Sequence, residues 1–127
     1  MSKLRYLLDT HTLIWLDSDL SCFSRDSLQA IEEAEQIYFS AASAWELSIK
    51  ESLGKIKLTR SVSEYARQNG FLELPVTTTY TDIAARLPLH HKDPFDRMIV
   101  AQAMHEGLTL VTADRRLARY GLSILQI

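Results

Sequence analysis

Short apolar runs alternate along the chain with longer stretches in which apolar residues recur at helical spacing. The short runs have too few residues for a helix and are mostly apolar, as buried strands of a parallel sheet are. They predict strands at Arg5–Leu8, Gln36–Ser40, 71–75, Thr109–Thr112 and 123–126. The segments between them are long enough for crossover helices. The alternation therefore predicts an α/β domain.

The longer stretches predict helices at 10–16, 24–34, 42–53, 61–69, 81–87 and 94–107. The last has the clearest boundaries, because Asp93 is a favoured N-cap, Pro94 is favoured in the first turn and Gly107 suits the C-terminal end. Helix 42–53 carries Trp45 at helical spacing from further apolar residues. Gly54 suits the C-terminal end of this helix.

The chain has 127 residues, of which 46% are hydrophobic and 24% charged, and only 4 are Gly and 3 Pro. This balance excludes collagen-like, low-complexity and wholly disordered chains and predicts a single domain over residues 1–127. The net charge of -2 gives no whole-molecule positive field that would hold a polyanion. A nucleic-acid partner would therefore need local basic groups or metal ions.

The cysteine content and the apolar stretches of the sequence predict a soluble, cytoplasmic protein without a membrane partner. The single cysteine, Cys22, cannot form an internal disulfide, which fits a reducing compartment. The apolar stretches are far shorter than a membrane helix needs, and Arg5 and Asp9 interrupt the N-terminal run where a signal peptide needs a continuous apolar core.

Four acidic residues lie at notable positions relative to the predicted elements: Asp9, Glu46, Asp96 and Asp114. Asp9 and Asp114 follow strands, Glu46 lies early in the helix after the second strand, and Asp96 lies in the first turn of helix 94–107. Ligands of open parallel sheets bind beyond the carboxyl ends of the strands, near the point where strand order reverses. Acids placed there can converge although they are far apart in sequence.

Each acid also has an ordinary structural explanation. Asp9 and Asp114 can be N-caps, Asp96 can be the capping partner of Asp93, and Glu46 can pair with the residue four positions later. Glu46, however, interrupts a helix that is apolar around most of its circumference, so its carboxylate requires a partner there.

Several carboxylates in one cleft repel each other unless a divalent cation neutralises them. Oxygen ligands favour Mg²⁺ or Mn²⁺, and the chain has no Cys/His spacing typical of zinc. His90 and His91 are adjacent and point in different directions, so we interpret them as loop surface or substrate contacts. Carboxylate-bound Mg²⁺ with open positions suits phosphodiester hydrolysis, which favours a nuclease.

Basic residues lie close to the acids in sequence. Lys50, Arg97 and Arg115 are candidates for binding substrate phosphates, whereas Arg116 and Arg119 are better explained as solvated side chains.

Four strings, LLDTHTLIW, SAASAWELSIK, DPFDRMIVAQA and LVTADRRL, resemble the acidic blocks of PIN-domain ribonucleases, and in particular of the VapC-type toxins of toxin-antitoxin operons. The blocks occur in the family's order, and the similarity extends over almost the whole chain, from Tyr6 to about Gln126.

The resemblance implies a three-layer fold with a parallel sheet of order 3-2-1-4-5. It implies that Asp9, Glu46, Asp96 and Asp114 are the catalytic residues and ligate Mg²⁺ or Mn²⁺, that Thr112 supplies a supporting hydroxyl, and that Thr10 lies beside the first acid. Asp93 is then the helix cap, although a loop shift would let it exchange or share roles with Asp96. The resemblance further implies an RNA substrate, a homodimer and an antitoxin partner from the same operon.

Alternative functions are a PIN-like nucleic-acid-binding or interaction module without cleavage activity, and a DNA-directed metal-dependent nuclease. Flap-type DNA nucleases generally carry extra DNA-gripping segments for which this chain has no room. A phosphoacceptor receiver domain fits poorly, because Asp9 has no acidic neighbour.

Overall fold

The computed structural model describes residues 4–127 and contains, within them, a parallel sheet of five strands. The strands lie in the order β3-β2-β1-β4-β5, which confirms the predicted order. Their bounds are β1 Arg5–Leu8, β2 Gln36–Ser40, β3 Leu72–Leu74, β4 Thr109–Thr112 and β5 Ile124–Gln126. Neighbouring strands are parallel, with Leu8 of β1 paired to Phe39 of β2 and to Val111 of β4.

The helices connect these strands and differ from the predicted ones mainly at their ends. They are α1 Thr10–Ser18, α2 Arg25–Glu32, α3 Ala41–Ser52, α4 Val62–Gln68, α5 Thr78–Arg86 and α6 Pro94–Glu106. Helix α6 has the predicted caps: the Asp93 carboxylate accepts hydrogen bonds from Phe95 N and Asp96 N, and Gly107 adopts a left-handed conformation. Short 3-10 helices, Leu20–Cys22 and Arg115–Tyr120, were not predicted.

Helix α5 begins three residues before the predicted start, at Thr78 rather than 81. Thr78 and Thr79 are β-branched and Tyr80 is aromatic, so all three have weak helix propensity and local sequence gave no sign of this turn. Tertiary packing explains it, because Tyr80 is buried and its hydroxyl donates a 2.9 Å hydrogen bond to Glu106 Oε2 of α6.

The sheet separates two apolar cores, as the predicted three-layer architecture requires. Consecutive residues of a strand point to opposite faces. Leu8 packs into the cluster that contains Leu13 of α1 and Leu47 of α3, whereas Leu7 packs into the cluster that contains Ile99 of α6. Helices α1 to α4 thus cover one face, and α5 and α6 cover the other.

Helix α3 buries a different side from the one that its large apolar residues suggest. Its buried residues are Ala42, Ser43, Glu46 and Leu47. Trp45 is 65% exposed and Leu53 is 63% exposed. The apolar spacing through Trp45 therefore marks a face that the rest of the described chain leaves largely uncovered.

Strand order reverses between β1 and β4, because the chain proceeds from β1 to β2 and β3 on one side and from β4 to β5 on the other. Just past the end of β1, Asp9 N donates a 3.1 Å hydrogen bond to Val111 O of β4. Open parallel sheets bind ligands at such a point. Over residues 4–127, no helix is both long and apolar enough to span a bilayer.

Candidate active site

Asp9 lies at the strand-order reversal with both carboxylate oxygens fixed. It is 5% exposed and is the N-cap of α1, since its Oδ1 accepts a 2.8 Å hydrogen bond from Thr12 N. Its Oδ2 accepts a 2.5 Å hydrogen bond from Thr112 Oγ1. Thr112 Oγ1 in turn accepts from Asp114 N at 3.0 Å. One hydroxyl at the end of β4 therefore links the first and last acids of the predicted set.

Glu46 is buried, and it has the partners that the sequence argument required. Its Oε1 accepts a 2.9 Å hydrogen bond from Thr10 Oγ1, and its Oε2 lies 3.1 Å from Lys50 Nζ. Thr10 is 2% exposed and its hydroxyl lies 3.0 Å from Ser43 Oγ. Thr10 thus connects α1, beside Asp9, to the carboxylate on α3.

The carboxylates of Asp96 and Asp114 both contact the ring of His91, which the sequence did not predict to lie beside them. His91 Nε2 lies 3.2 Å from Asp96 Oδ2 and 3.2 Å from Asp114 Oδ2. Of the two interpretations given for His91, loop surface is wrong, because only 9% of the residue is exposed, and substrate contact stays a prediction. Its neighbour His90 is exposed, so the two adjacent rings do point in different directions.

The hydrogen bonds of His91 assign its tautomer. Asp93 N donates a 3.1 Å hydrogen bond to Nδ1, so Nδ1 is an acceptor without a proton. The proton of the neutral ring then lies on Nε2, which faces the two carboxylates. His91 is therefore a hydrogen-bond donor that orients Asp96 and Asp114.

The loop that carries His91 is held by side chains from two other elements. Tyr120 Oη accepts from His91 N at 3.0 Å and donates to Pro88 O at 2.9 Å. Arg97 Nη1 donates to His91 O at 3.2 Å. These contacts are non-local, which explains why the sequence did not indicate that His91 is buried beside the acids.

Arg97 forms hydrogen bonds within the scaffold, and its predicted role in phosphate binding is corrected. Besides His91 O, its guanidinium donates to the carbonyl oxygens of Ala84, Leu87 and Pro88, at 2.7, 2.8 and 3.0 Å. These carbonyls lie at the C-terminal end of α5 and just after it, where a helix attracts positive charge. Both terminal nitrogens are thereby engaged in fixing the loop after α5.

The interpretation of Arg116 as a solvated side chain is incomplete, because its guanidinium also binds the carboxylate of Asp114. Its Nε donates to Asp114 Oδ1 at 3.0 Å and its Nη2 to Asp114 Oδ2 at 2.8 Å. Hydrogen bonding from the Arg116 side chain lowers the pKa of Asp114 to about 2, although partial burial opposes the shift. Asp114 also caps the 3-10 helix Arg115–Tyr120, so its capping role and its position beside Asp96 coexist.

The other acids affect the charge state of Asp96. The pKa of Asp96 is raised to about 6, first by burial and then by repulsion from Asp93, with smaller contributions from the carboxylates of Asp9 and Glu46, whereas His91 opposes the shift. The capping carboxylate at this helix is that of Asp93. Asp96 is therefore an acid in a negative environment that also contains Asp9 and Glu46.

Comparison with known proteins identifies the family. Residues 6–122 match the family model of the PIN domain. The chain belongs to the PIN-domain family. Ribonuclease VapC22 of Mycobacterium tuberculosis (strain ATCC 25618 / H37Rv) is 33% identical to this PIN domain over 114 residues, which are 87% of this chain and 88% of the relative. The resemblance inferred from the four acidic blocks is confirmed.

Solved structures share the fold of this PIN domain at low sequence identity. A toxin-antitoxin complex from Klebsiella pneumoniae matches with a TM-score of 0.67 and 19% identity, covering 96% of this chain and 99% of that one. VapBC2 from Rickettsia felis, bound to a DNA fragment from its promoter, matches with a TM-score of 0.69 and 17% identity, covering 97% and 98%. The whole described sheet therefore follows the PIN arrangement.

The donor set of this PIN domain fits a divalent cation. Donor atoms of His91, Asp96 and Asp114 all lie within 4.8 Å of one another. Burial is the main cause that raises the pKa of Asp96, and repulsion by Asp93 is the next. Carboxylate oxygens are the ligands that Mg²⁺ and Mn²⁺ prefer. Because Nε2 of His91 carries the proton, His91 acts in this group as a hydrogen-bond donor to the carboxylates, and the oxygens of Asp96 and Asp114 are the ligand atoms of the group.

We expect His91→Ala to weaken Mn²⁺ binding by roughly 10- to 100-fold, the usual loss when a group that orients metal ligands is removed. His91→Gln, which keeps an N–H donor on a comparably long side chain, should recover much of the affinity. Isothermal titration of the RNA-free protein with Mn²⁺ measures both. His90→Ala is the matched control, and wild-type affinity in His91→Ala would show that the ring does not orient the ligands.

Proposed function

We propose that this PIN domain is a metal-dependent endoribonuclease, the toxin component of a type II toxin-antitoxin pair, and that it hydrolyses RNA phosphodiester bonds. The main support is that acids from separate sequence blocks are linked near the strand-order reversal: Thr112 Oγ1 contacts both Asp9 and Asp114, and His91 Nε2 contacts both Asp114 and Asp96. The 33% identity to a protein named as a ribonuclease supports RNA as the substrate.

In this proposal Asp9, Glu46, Asp96 and Asp114 are the catalytic residues and hold Mg²⁺ or Mn²⁺. A bound divalent cation supplies an activated water and a counter-charge for the leaving oxygen. Thr112 and Thr10 hold the carboxylates of Asp9 and Glu46 in place through the hydrogen bonds described above.

Lys50 and Arg115 are the remaining proposed phosphate contacts. Lys50 is close to the acids through its 3.1 Å contact with Glu46, and its side chain is 31% exposed, so it can approach an incoming phosphate. Arg115 directly follows Asp114 in sequence and is exposed. Lysine and arginine at such positions would offset the repulsion between a polyanion and the acidic cluster.

The proposed biological setting is the bacterial or archaeal cytoplasm, with a homodimeric toxin inhibited by an antitoxin from the same operon. Structural neighbours that are described as a toxin-antitoxin complex and as VapBC support the antitoxin partner. We also propose that residues 1–127 form one domain. The family match covers residues 6–122, and residues 1–3 lie outside the part that the structure describes.

The proposal predicts that the protein, purified free of antitoxin, cleaves single-stranded or looped RNA only when Mg²⁺ or Mn²⁺ is present. Gel analysis of a labelled RNA with each metal and with excess EDTA provides the test. Cleavage that persists in EDTA would contradict metal dependence.

The same assay separates the alternative functions. Cleavage of DNA but not RNA under these conditions would indicate a DNA-directed nuclease. Binding of nucleic acid without cleavage of either would indicate a non-catalytic module.

A further inference from the structure

The carboxylate of Asp114 has a hydrogen-bond donor at each of its acceptor positions. Its Oδ1 accepts from Arg116 N and from Arg116 Nε, both at 3.0 Å. Its Oδ2 accepts from Arg116 Nη2 at 2.8 Å and lies 3.2 Å from His91 Nε2. A carboxylate has about four lone-pair sites, two on each oxygen. The contacts of Asp114 therefore occupy all of these sites, and a cation binds this carboxylate only when one donor leaves.

The donors of Asp114 differ in how firmly they are held. Arg116 N belongs to the backbone of the 3-10 helix Arg115–Tyr120, which Asp114 caps. The side chain of His91 is 8% exposed, and Asp93 N holds its ring through Nδ1. The side chain of Arg116 is 63% exposed, and ion pairs with such exposure are weak. The guanidinium of Arg116 is thus the donor that leaves at the lowest cost.

The same guanidinium lies within the negative field of a second acid. Hydrogen bonding to Asp114 raises the pKa of Arg116, and the charge of Asp96 adds a smaller increase. Donor atoms of Asp96 and Asp114 belong to the group that fits a divalent cation. Arg116 therefore supplies positive charge to the acids that a divalent cation would neutralise.

We propose that the guanidinium of Arg116 is a displaceable counter-ion, which leaves Asp114 when a divalent cation binds and then contacts a phosphate of the RNA. The inference rests on the proposed nuclease function. Guanidinium groups bind phosphates with the same bidentate geometry that they use for carboxylates. The exchange keeps Arg116 paired in both states and places positive charge on RNA beside acids that repel it.

An orienting role for Arg116 is the alternative explanation of the same hydrogen bonds. If the guanidinium held Asp114 in the orientation that the metal requires, its removal would weaken metal binding, as we expect for His91→Ala. If the guanidinium competes with the metal, its removal strengthens metal binding. The sign of the change in metal affinity therefore separates the two roles.

Isothermal titration of the RNA-free protein with Mn²⁺ measures this sign. At low ionic strength we expect Arg116→Ala to bind Mn²⁺ about 2- to 5-fold more tightly than the wild type, the range for loss of one exposed ion pair. Arg116→Lys keeps the charge but lacks the planar pair of donors, so its affinity should lie between the two. Arg119→Ala is the matched control, because it removes the same charge from an exposed position of the same 3-10 helix.

Cleavage of a short unstructured RNA at saturating Mn²⁺ tests the contact with phosphate. Arg116→Ala should raise KM by roughly 3- to 30-fold, the effect of losing a partly exposed, charge-assisted hydrogen bond. The value of kcat should stay nearly unchanged, because a contact made equally in the ground and transition states affects KM alone. Tighter metal binding together with a higher KM is a combination that an orienting role does not produce.

Three results would overturn the inference: Mn²⁺ affinity in Arg116→Ala at or below that of the wild type, an equal gain in Arg119→Ala, or an unchanged KM. If the wild type cleaves no RNA with Mg²⁺ or Mn²⁺, the nuclease function is rejected, and fluorescence anisotropy of labelled RNA in Mn²⁺ replaces KM. Weaker RNA binding by Arg116→Ala would then support the exchange, and wild-type binding would overturn it.

Discussion

Asp9→Asn should reduce metal-dependent RNA cleavage by at least about 10³-fold, which corresponds to about 4 kcal/mol of lost transition-state stabilisation. Asn has nearly the same volume, and its Oδ1 can still accept from Thr12 N, so the cap of α1 is retained. The variant lacks the negative charge and places an amide where Asp9 Oδ2 now accepts from Thr112. The fold should survive while the metal site is weakened.

Initial rates on a labelled RNA, in Mg²⁺ and in Mn²⁺, measure this loss. Asp26→Asn is the matched control, because it removes the same charge from the exposed first turn of α2. In cells that lack the antitoxin, the wild type should arrest growth and Asp9→Asn should not. Two proteins that are equally toxic, or equally harmless, would contradict the toxin-nuclease proposal.

Asp96→Asn should have opposite effects on stability without and with metal. The raised pKa of Asp96, about 6 against an ordinary 3.8, means that its ionised form destabilises the metal-free fold. At about 1.4 kcal/mol per pKa unit, and allowing for its partial exposure, the cost at neutral pH is on the order of 2 kcal/mol. In EDTA at neutral pH the variant should therefore melt at or above the wild-type temperature.

The pH dependence has a definite sign. A carboxyl group whose pKa is higher in the folded than in the unfolded state contributes most to the stability of the fold at low pH. For Asp96 this contribution is lost as pH rises from about 4 to 6. The advantage of Asp96→Asn in EDTA should accordingly grow between these pH values and then level off. Thermal melts at several pH values measure it.

Adding Mg²⁺ should reverse the ranking, because ligand binding to the folded state stabilises the wild type more than the variant. Asp26→Asn provides the comparison, because it removes the same charge from the exposed first turn of α2, where the change should be small and similar in both buffers. If Asp96→Asn also changed the melting temperature by the same amount with and without Mg²⁺, Asp96 would not be a metal ligand.

The sequence alone determined the local elements. Strands β1, β2 and β4 have the predicted bounds, because each is a short, mostly apolar run that ends at, or within two residues of, a helix N-cap: Asp9, Ser40 and Asp114. The N-cap Asp93, Pro94 and the C-terminal Gly107 fixed the ends of α6 for the same reason. These signals depend on neighbouring residues, so they can be recognised without a tertiary structure.

The family pattern predicted the strand order, which periodicity could not provide. Apolar runs show that strands are buried, but their order in a parallel sheet depends on which crossover connects them. Once the order is known, Asp9 and Asp114 must lie near one another, since they follow adjacent strands β1 and β4. The ordinary explanations were also correct in part, because both residues cap the helices that follow them.

Only the tertiary structure decided how the polar side chains around these acids are used. His91 is directed inward, Arg97 bonds to carbonyls after α5, and Arg116 holds Asp114, in each case through contacts set by the loop paths. Trp45 faces solvent although its spacing resembles a buried stripe, because α3 turns Glu46 and Leu47 toward the interior instead. Helical spacing shows which residues share a face, and only packing against the other elements determines which face is buried.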